Sequence, residues 1–340
     1  MTFDSDCLLK TCDGFSALTI GVLGDFCLDV YWHADMTCSQ LSRETPNFPL
    51  PITEESMRLG GAGNVAQNLV ALGVGKILPL TVYGRDWRGW VLERKMREQG
   101  MNIDTVVSTA ECWTNAYIKP VRHGISDVAY EDARLDFENR KALSQQDEEA
   151  LIARLDQAVL SLDALCVCDQ LQFGCVTPAL RERIIHYGRQ GLLVVADSRD
   201  RIGCYTDVIV KPNDVEACRA LGQTLHQAAE KLETMALELE KQTSRPAVIT
   251  CGEQGCLYAR EGRIGHVPAF AAEPPIDICG AGDTFMAAMV ACLASGVELE
   301  TALLIANLAS SVVVKKLNQT GTANRAELLE RWKRTARQSL

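Results

Sequence analysis

The chain has 340 residues, 47% of them apolar and 23% charged, with a formal net charge of −10. That balance fits an ordinary soluble core, in one large α/β domain or two modest ones. The acidic excess excludes a nucleic-acid binder working through a broad basic surface, and leaves room for a small anion held by local cations and helix ends.

Residues 1–16, "MTFDSDCLLKTCDGFS", read as a loosely held extension without the apolar core of a secretory leader. A first strand is predicted within "ALTIGVLGD" (17–25). Its apolar run ends at Gly24-Asp25, where a parallel strand delivers side chains to a ligand crevice. Residues 30–58 are polar, proline-bearing and helix-poor. A helix is predicted over 62–73, with Val65, Leu69 and Leu72 at helical spacing and Gly73 as the stop. The strand "KILPLTVYG" and the helix "WRGWVLERKMREQG" follow. Residues 112–138 alternate and carry β-formers. Then come "ALCVCD" with "TPALRERIIHYGRQG", "LLVVADS", "DVIVKPN" with "DVEACRALG", and "AVITCGEQG". Helices at 281–296 and 299–316 complete the series.

Strands alternating with helices predict a mostly parallel sheet flanked by helices on both faces. The irregular segments 30–58 and 112–138 read as short strands forming a small β-lid over the C-terminal edge of that sheet. One domain, 17–340, is the simplest organisation. No stretch reaches the roughly 18 consecutive apolar residues of a membrane span. The 14 cysteines include no CxxC pair and read as reduced, buried side chains of a cytoplasmic protein. Cys166 and Cys168 share a predicted strand and read as structural. His33, His123, His186, His226 and His266 lack ligand spacing. Asn318-Gln319-Thr320 fits a glycosylation pattern that has no meaning in the cytoplasm.

The stretch "DICGAGDTFMAA" (277–288) puts a carboxylate at a helix start directly after small residues. Either Asp283 caps the helix, or the free N–H groups hold a phosphate and Asp283 does chemistry beside it. Phosphoryl transfer to a hydroxyl needs a base, donors for the moving charge and a cation. Gly280, Ala281 and Gly282 would donate backbone N–H groups, and Asp283 would take the proton.

Three motifs in order carry a family resemblance: "LGGAGNVAQNLVALG" (59–73), "KPNDVE" (211–216) and "DICGAGDTF". Together they resemble the ribokinase-like (PfkB) carbohydrate kinases. The resemblance implies a ribokinase-like three-layer α/β fold with a β-lid. It also implies an ATP-dependent sugar kinase that uses Mg²⁺ and direct in-line transfer. "GDFCLDVYW", "LSRETPNFPLP", "ARLDFE" and "IANLASSVVVKKLNQTGT" are similar to the heptose-7-phosphate kinase branch, which phosphorylates an anomeric hydroxyl. Departures are Ile278 and Cys279 in the last motif, a lid stretch that differs from the branch's "SPEAPVPV", and "ADSRD" where the branch has "DPKG" and its Lys. Bifunctional relatives carry a following nucleotidyltransferase domain, and with the chain ending at Leu340 that activity is expected to be absent.

The resemblance implies a role for each of these residues. Asp283 is the base and Gly280, Ala281 and Gly282 the anion hole. Asp29 binds sugar hydroxyls, while Asp25 either does the same or caps a turn. Gly60, Gly61 and Asn64 bring backbone and amide to the sugar. Asn68 contacts it or is a solvated helix residue. Arg134 meets a sugar phosphate, with Asp136 orienting it; a lid-surface ion pair is the plainer reading. Asn213 and Glu216 organise Mg²⁺ through water, with Asn213 also an N-cap. Thr250, Gly252 and Gly255 border the nucleotide, and Asn307 lies near the adenine. The partners expected are ATP and a sugar or sugar phosphate, with neither nucleic acid nor membrane. The family's habit of pairing lids implies a homodimer. Fructose or ribose is an alternative acceptor. A non-catalytic sugar or nucleotide binder is a second alternative, and an interaction protein docking through Tyr31, Trp32 and Phe48 a third.

Overall fold

The computed structural model describes residues 4–124, 126, 128–223, 225–317 and 319–338; Met1–Phe3 of the extension and Asn318 of the Asn-Gln-Thr triplet fall outside the described residues. Asp4 opens the first helix, α1 (Ser5–Gly14), its carboxylate accepting from the N–H groups of Asp6 and Cys7. This corrects the expectation of a loose extension. Leu8, Cys12 and Phe15, at helical spacing, are buried in the main core, and the helix packs on the C-terminal helix Arg325–Gln338. Truncating Leu8 to Ala would cost about 2–5 kcal/mol.

The chain continues through β1 (Thr19–Gly24), β2 (Phe26–Asp35), β3 (Ile52–Gly61), α2 (Ala62–Leu72), β4 (Lys76–Leu80) and β5 (Val82–Gly84). Then come α3 (Trp87–Glu98), β6 (Val107–Thr109), β7 (Ala116–His123), β8 (Tyr130–Glu131) and β9 (Leu135–Phe137). The second half holds α4 (Gln145–Ala158), β10 (Ala164–Asp169), α5 (Pro178–Arg189), β11 (Leu193–Ser198) and β12 (Ile209–Val210). It ends with α6 (Asp214–Ala220), α7 (Leu225–Thr243), β13 (Ala247–Thr250), β14 (Cys256–Arg260), β15 (Arg263–Val267), α8 (Ala281–Ala294), α9 (Leu299–Val313) and α10 (Arg325–Gln338).

Among the described residues, β4, β1, β10, β11, β12 and β13 run parallel in that order, and the hairpin β14–β15 extends the sheet antiparallel to β13. The hairpin turns at Glu261 (φ 55°) and Gly262 (φ 72°), the positive-φ pair that matches strand twist in a two-residue loop. Pleat alternation splits the core into two layers. On β10, Ala164, Cys166 and Cys168 face the layer under α2, α8 and α9, while Leu165 and Val167 face the layer under α4, α5 and α7. All 14 cysteines are unpaired. Among the described residues, no helix is long and apolar enough to cross a membrane.

The second sheet, β3–β2–β7–β8 with β9 also on β7, takes its strands from both irregular segments. One face of β2 carries Leu28 and Val30, which pack with Ala116 and Ile118 of β7 and Val91 of α3. The other face carries Asp29 and Tyr31 toward the ends of the parallel strands. A single residue, Asp25, separates β1 from β2, so this lid grows directly out of the main sheet.

Candidate active site

The cleft lies where β1, β10, β11, β12 and β13 end and α8 begins. Gly280 caps α8 at φ 77°, and a Cβ there would stand 2.7 Å from Nδ2 of Asn64. Both conformation and space therefore require glycine. No side chain caps this helix. The N–H of Ala281 turns back to the carbonyl of Ile278 at 3.2 Å. That removes Ala281 from the expected anion hole. The N–H groups of Gly280, Gly282 and Asp283 have no partner among the described residues, and a Cβ on Gly282 would meet nothing within 4 Å. An open helix N-terminus of this kind favours an anion.

Asp283 accepts a hydrogen bond from Asn64 Nδ2 at 2.7 Å instead of capping its own helix. Asn64 is fully buried, and its Oδ1 accepts from Gln67 Nε2 at 2.8 Å. Burial pushes the Asp283 carboxyl up to about 7; Asn64 and Lys211 act against the rise, while Asp197 and Asp29 add to it. A carboxylate titrating near neutrality suits a general base. Asn68 does not reach the cleft. It is fully buried, donates to the Asn64 carbonyl at 2.9 Å, and accepts from Thr284 Oγ1 at 3.0 Å and the Ala323 N–H at 3.2 Å. It braces α2 against α8, which corrects both readings made of it.

On the lid side, Asp29 accepts from Thr320 Oγ1 at 3.1 Å. A Cβ on Gly60 would come within 2.6 Å of the Asp29 carboxylate, so the glycine makes its space. Burial raises the Asp29 carboxyl, and Lys119, Thr320 and Arg134 oppose the rise. Asp25 takes the turn-capping role. Its oxygens accept from the N–H groups of Gln170 at 2.9 Å, Leu171 at 2.8 Å and Cys175 at 2.7 Å. With those bonds made, it is not presented to a sugar, and burial lifts its pKa to about 6. At Gly61, φ is 56°, and a Cβ there would strike the Asp25 carbonyl at 2.4 Å, so both conformation and space require glycine. Arg134 is held by Asp136 through two bonds of 2.6 and 2.7 Å and lies 4.7 Å over the Tyr117 ring.

On the opposite side, Asn213 and Glu216 form a capping box at the start of α6, with both bonds at 2.8 Å. One Glu216 oxygen keeps no partner among the described residues. The N–H of Thr250 donates to the Pro212 carbonyl at 3.0 Å, which seats it beside Asn213. Gly252, at φ 57°, borders open space, whereas a Cβ on Gly255 would strike the Val267 carbonyl at 2.2 Å. Asn307 donates to the carbonyls of Val267 at 3.0 Å and Pro268 at 3.2 Å. It ties the strand exit of β15 to α9 and has no free N–H to offer a base.

Four side chains that the sequence reading did not single out, Lys211, Asp197, Lys119 and Arg199, stand at these strand ends and on the lid. Lys211, buried, pairs with Asp197 at 3.2 Å, and the other Asp197 oxygen is buried without a partner. Burial works against the Lys211 charge, but Asp197 and Glu216 outweigh it and hold the ammonium above its ordinary value. Lys119 of β7 donates to the Tyr31 hydroxyl at 3.1 Å and sits 4.8 Å over its ring. Arg199 follows Asp197 at the end of β11, so the ADSRD stretch does carry a cation. The available signal was position: strand ends in a parallel sheet point at ligands.

The profile of the pfkB family carbohydrate kinases matches residues 28–325. The "Bifunctional protein HldE" of Geobacter metallireducens is 31% identical over 313 residues, covering 91% of this chain and 61% of that protein. The Caulobacter vibrioides protein of the same name is 33% identical over 330 residues, covering 95% and 65%. The chain thus spans somewhat under two thirds of these relatives. Among solved structures, Phosphofructokinase-2 from Escherichia coli, in complex with substrates and products, superposes with a TM-score of 0.68 at 20% identity, covering 94% of this chain and 99% of that one. Ribokinase of Arabidopsis thaliana, complexed with ribose and ATP, gives 0.66 at 18% identity, covering 93% and 98%. The fold is ribokinase-like.

Proposed function

The chain belongs to the pfkB family of carbohydrate kinases, a phosphotransferase acting on a sugar hydroxyl with ATP as co-substrate, and we propose that its acceptor is a sugar phosphate of the heptose 7-phosphate kind. The observation that carries the chemistry is the Asp283 carboxylate, held by Asn64 beside an uncapped helix start. The acceptor hydroxyl attacks the terminal phosphorus of ATP as its proton passes to Asp283. The bond from that phosphorus to the bridging oxygen breaks, and ADP leaves. The N–H groups of Gly280, Gly282 and Asp283 take up charge on the moving phosphate. Asp29, with Gly60 beside it, holds sugar hydroxyls. Arg134 faces the acceptor's own phosphate. Thr250 and Gly252 border the nucleotide.

The buried, unpartnered oxygen of Asp197, with the Glu216 carboxylate near it, suits a hard divalent cation. Among the described residues no three His, Cys, Asp or Glu side chains converge on one metal position, so Mg²⁺ would be held through water and the nucleotide. When bound, Mg²⁺ neutralises phosphate charge. The exposed Leu41, Phe48, Leu50 and Ile52 of the lid segment support a homodimer through the lid, which light scattering tests. Fourteen unpaired cysteines support a reducing, cytoplasmic setting.

One observation favours a second reading. Asp136 already neutralises Arg134 bidentately, which suits an unphosphorylated acceptor such as fructose or ribose. ADP release with Mg-ATP across a panel of sugars and sugar phosphates separates the two. Turnover restricted to heptose 7-phosphate, and lost in Asp283→Asn, is expected. Turnover of free sugars alone overturns the phosphate reading, and equal turnover in the variant overturns Asp283 as base.

A further inference from the structure

A side-chain amide fits the same space either way round, because its oxygen and its nitrogen have nearly the same shape. For Asn64 the choice decides what Asp283 meets. With Nδ2 toward it, the carboxylate is offered a donor. With Oδ1 toward it, two acceptors face each other, and Asp283 must keep a proton to bridge them. The structure has the first arrangement, at 2.7 Å. Asp283 alone does not hold that choice, since a base gains a proton during the reaction, and a protonated carboxyl accepts either end of an amide. The choice is made from behind. Asn64 Oδ1 accepts from Gln67 Nε2 at 2.8 Å, one turn further along α2, and from Asn68 Nδ2 at 3.2 Å. The Asn68 group is shared, because it also donates to the Asn64 carbonyl at 2.9 Å and the Gly321 carbonyl at 3.4 Å. The Gln67 amide is buried and makes this one hydrogen bond among the described residues. Turning the Asn64 amide over would set its Nδ2 against both donors.

We propose that Gln67 is a positioning residue, which fixes the Asn64 amide so that its N–H group faces Asp283 throughout the proton transfer. The assignment rests on the reading of Asp283 as base and adds the residue that keeps this base supplied with a donor. Around the Asp283 carboxyl stand Asp197, Lys211 and Asp29, with the thiols of Cys27, Cys168 and Cys279. Arg58, Lys95 and Glu98 share a small cavity with Gln67. A charge placed at position 67 also acts on Asp283 through space, so the test separates field from amide.

Gln67→Glu puts an acceptor against Asn64 Oδ1 and turns the amide over. The acid limb of kcat/KM should then move up by about one pH unit, a loss of about tenfold below the limb. A second readout needs no acceptor. The Tm gap between a chain and its Asp283→Asn partner widens with pH until Asp283 is ionised, then levels. Calorimetry on the full chain should find that levelling point near 7 in wild type and about one pH unit higher in Gln67→Glu. Gln67→Met, uncharged and of similar volume, should move both readouts part of the way. In an Asn64→Leu background, Gln67→Glu should move neither. No movement in Gln67→Glu and Gln67→Met overturns the assignment. So does a movement in Gln67→Glu that persists with Asn64→Leu, which marks a charge acting through space. A levelling point that moves in a chain turning over no sugar or sugar phosphate sinks Asp283 as base instead, and leaves the hold of Gln67 on the amide standing.

Discussion

At the start of α8 the polar groups facing the cleft are backbone N–H groups and one carboxylate, locked by the buried amides of Asn64, Gln67 and Asn68. On the lid they are long side chains, Arg134 on Asp136 and Lys119 on Tyr31, paired in half-exposed positions. The floor fixes geometry through packing, so a change there acts on the rate of chemistry. The lid presents charge on flexible stems, so a change there acts on which acceptor is held and how tightly.

The sharpest test is Asp283→Asn, which removes the proposed base and leaves the shape. Its kcat should fall about 10³-fold with KM little moved, as steady-state kinetics would read. A loss that appears in KM instead would erase the distinction between floor and lid. The wild type should also gain kcat/KM as pH rises through about 7, where Asp283 loses its proton. The same shift has a stability sign. A carboxyl raised on folding stabilises the native state while protonated, and that contribution is lost as pH climbs through about 7. Asp283→Asn should therefore melt higher than wild type at pH 8, and calorimetry should find the gap closing below pH 4.

Gly280→Ala comes next. A left-handed alanine costs about 1–2 kcal/mol, and the new Cβ displaces the Asn64 amide. Activity should drop about 10- to 100-fold with a lower Tm. Asn64→Leu is subtler. With its donor gone, the carboxylate form of Asp283 loses support, and the acid limb of the pH–rate profile should move upward. The smallest effect falls on the lid. Arg134→Ala should raise KM for a phosphorylated acceptor about tenfold and leave Tm unchanged, since exposed ion pairs contribute about 0–1 kcal/mol. A large fall in Tm would show the lid to be as tightly built as the floor.

The floor was legible because its signals are local. Glycines before an aspartate, and an Asn-bearing helix after a glycine pair, each sit within one stretch of chain. Asp25 and Asp29 were harder to separate, since a strand exit and a strand interior look alike four residues apart. Lys119 meets Tyr31 across a separation of 88 residues, through the parallel pairing of β7 with β2. No periodicity in either segment announces that register. Asp197 and Lys211 join through neighbouring strand ends in the same way. The helix α1 was missed although Asp4 is an N-cap residue type at the right offset, because few apolar residues mark its buried stripe.

The absence of a loop between β1 and β2 has a mechanical meaning. The ten residues of β2 make an arm about 33 Å long at about 3.3 Å per residue. Asp25, gripped by three backbone N–H groups, is its fulcrum. A tilt of about 6° there carries the tip about 3 Å along an arm of that length. A cover built this way would work as a lever, in which a small rotation at a buried carboxylate is magnified into travel at the far end.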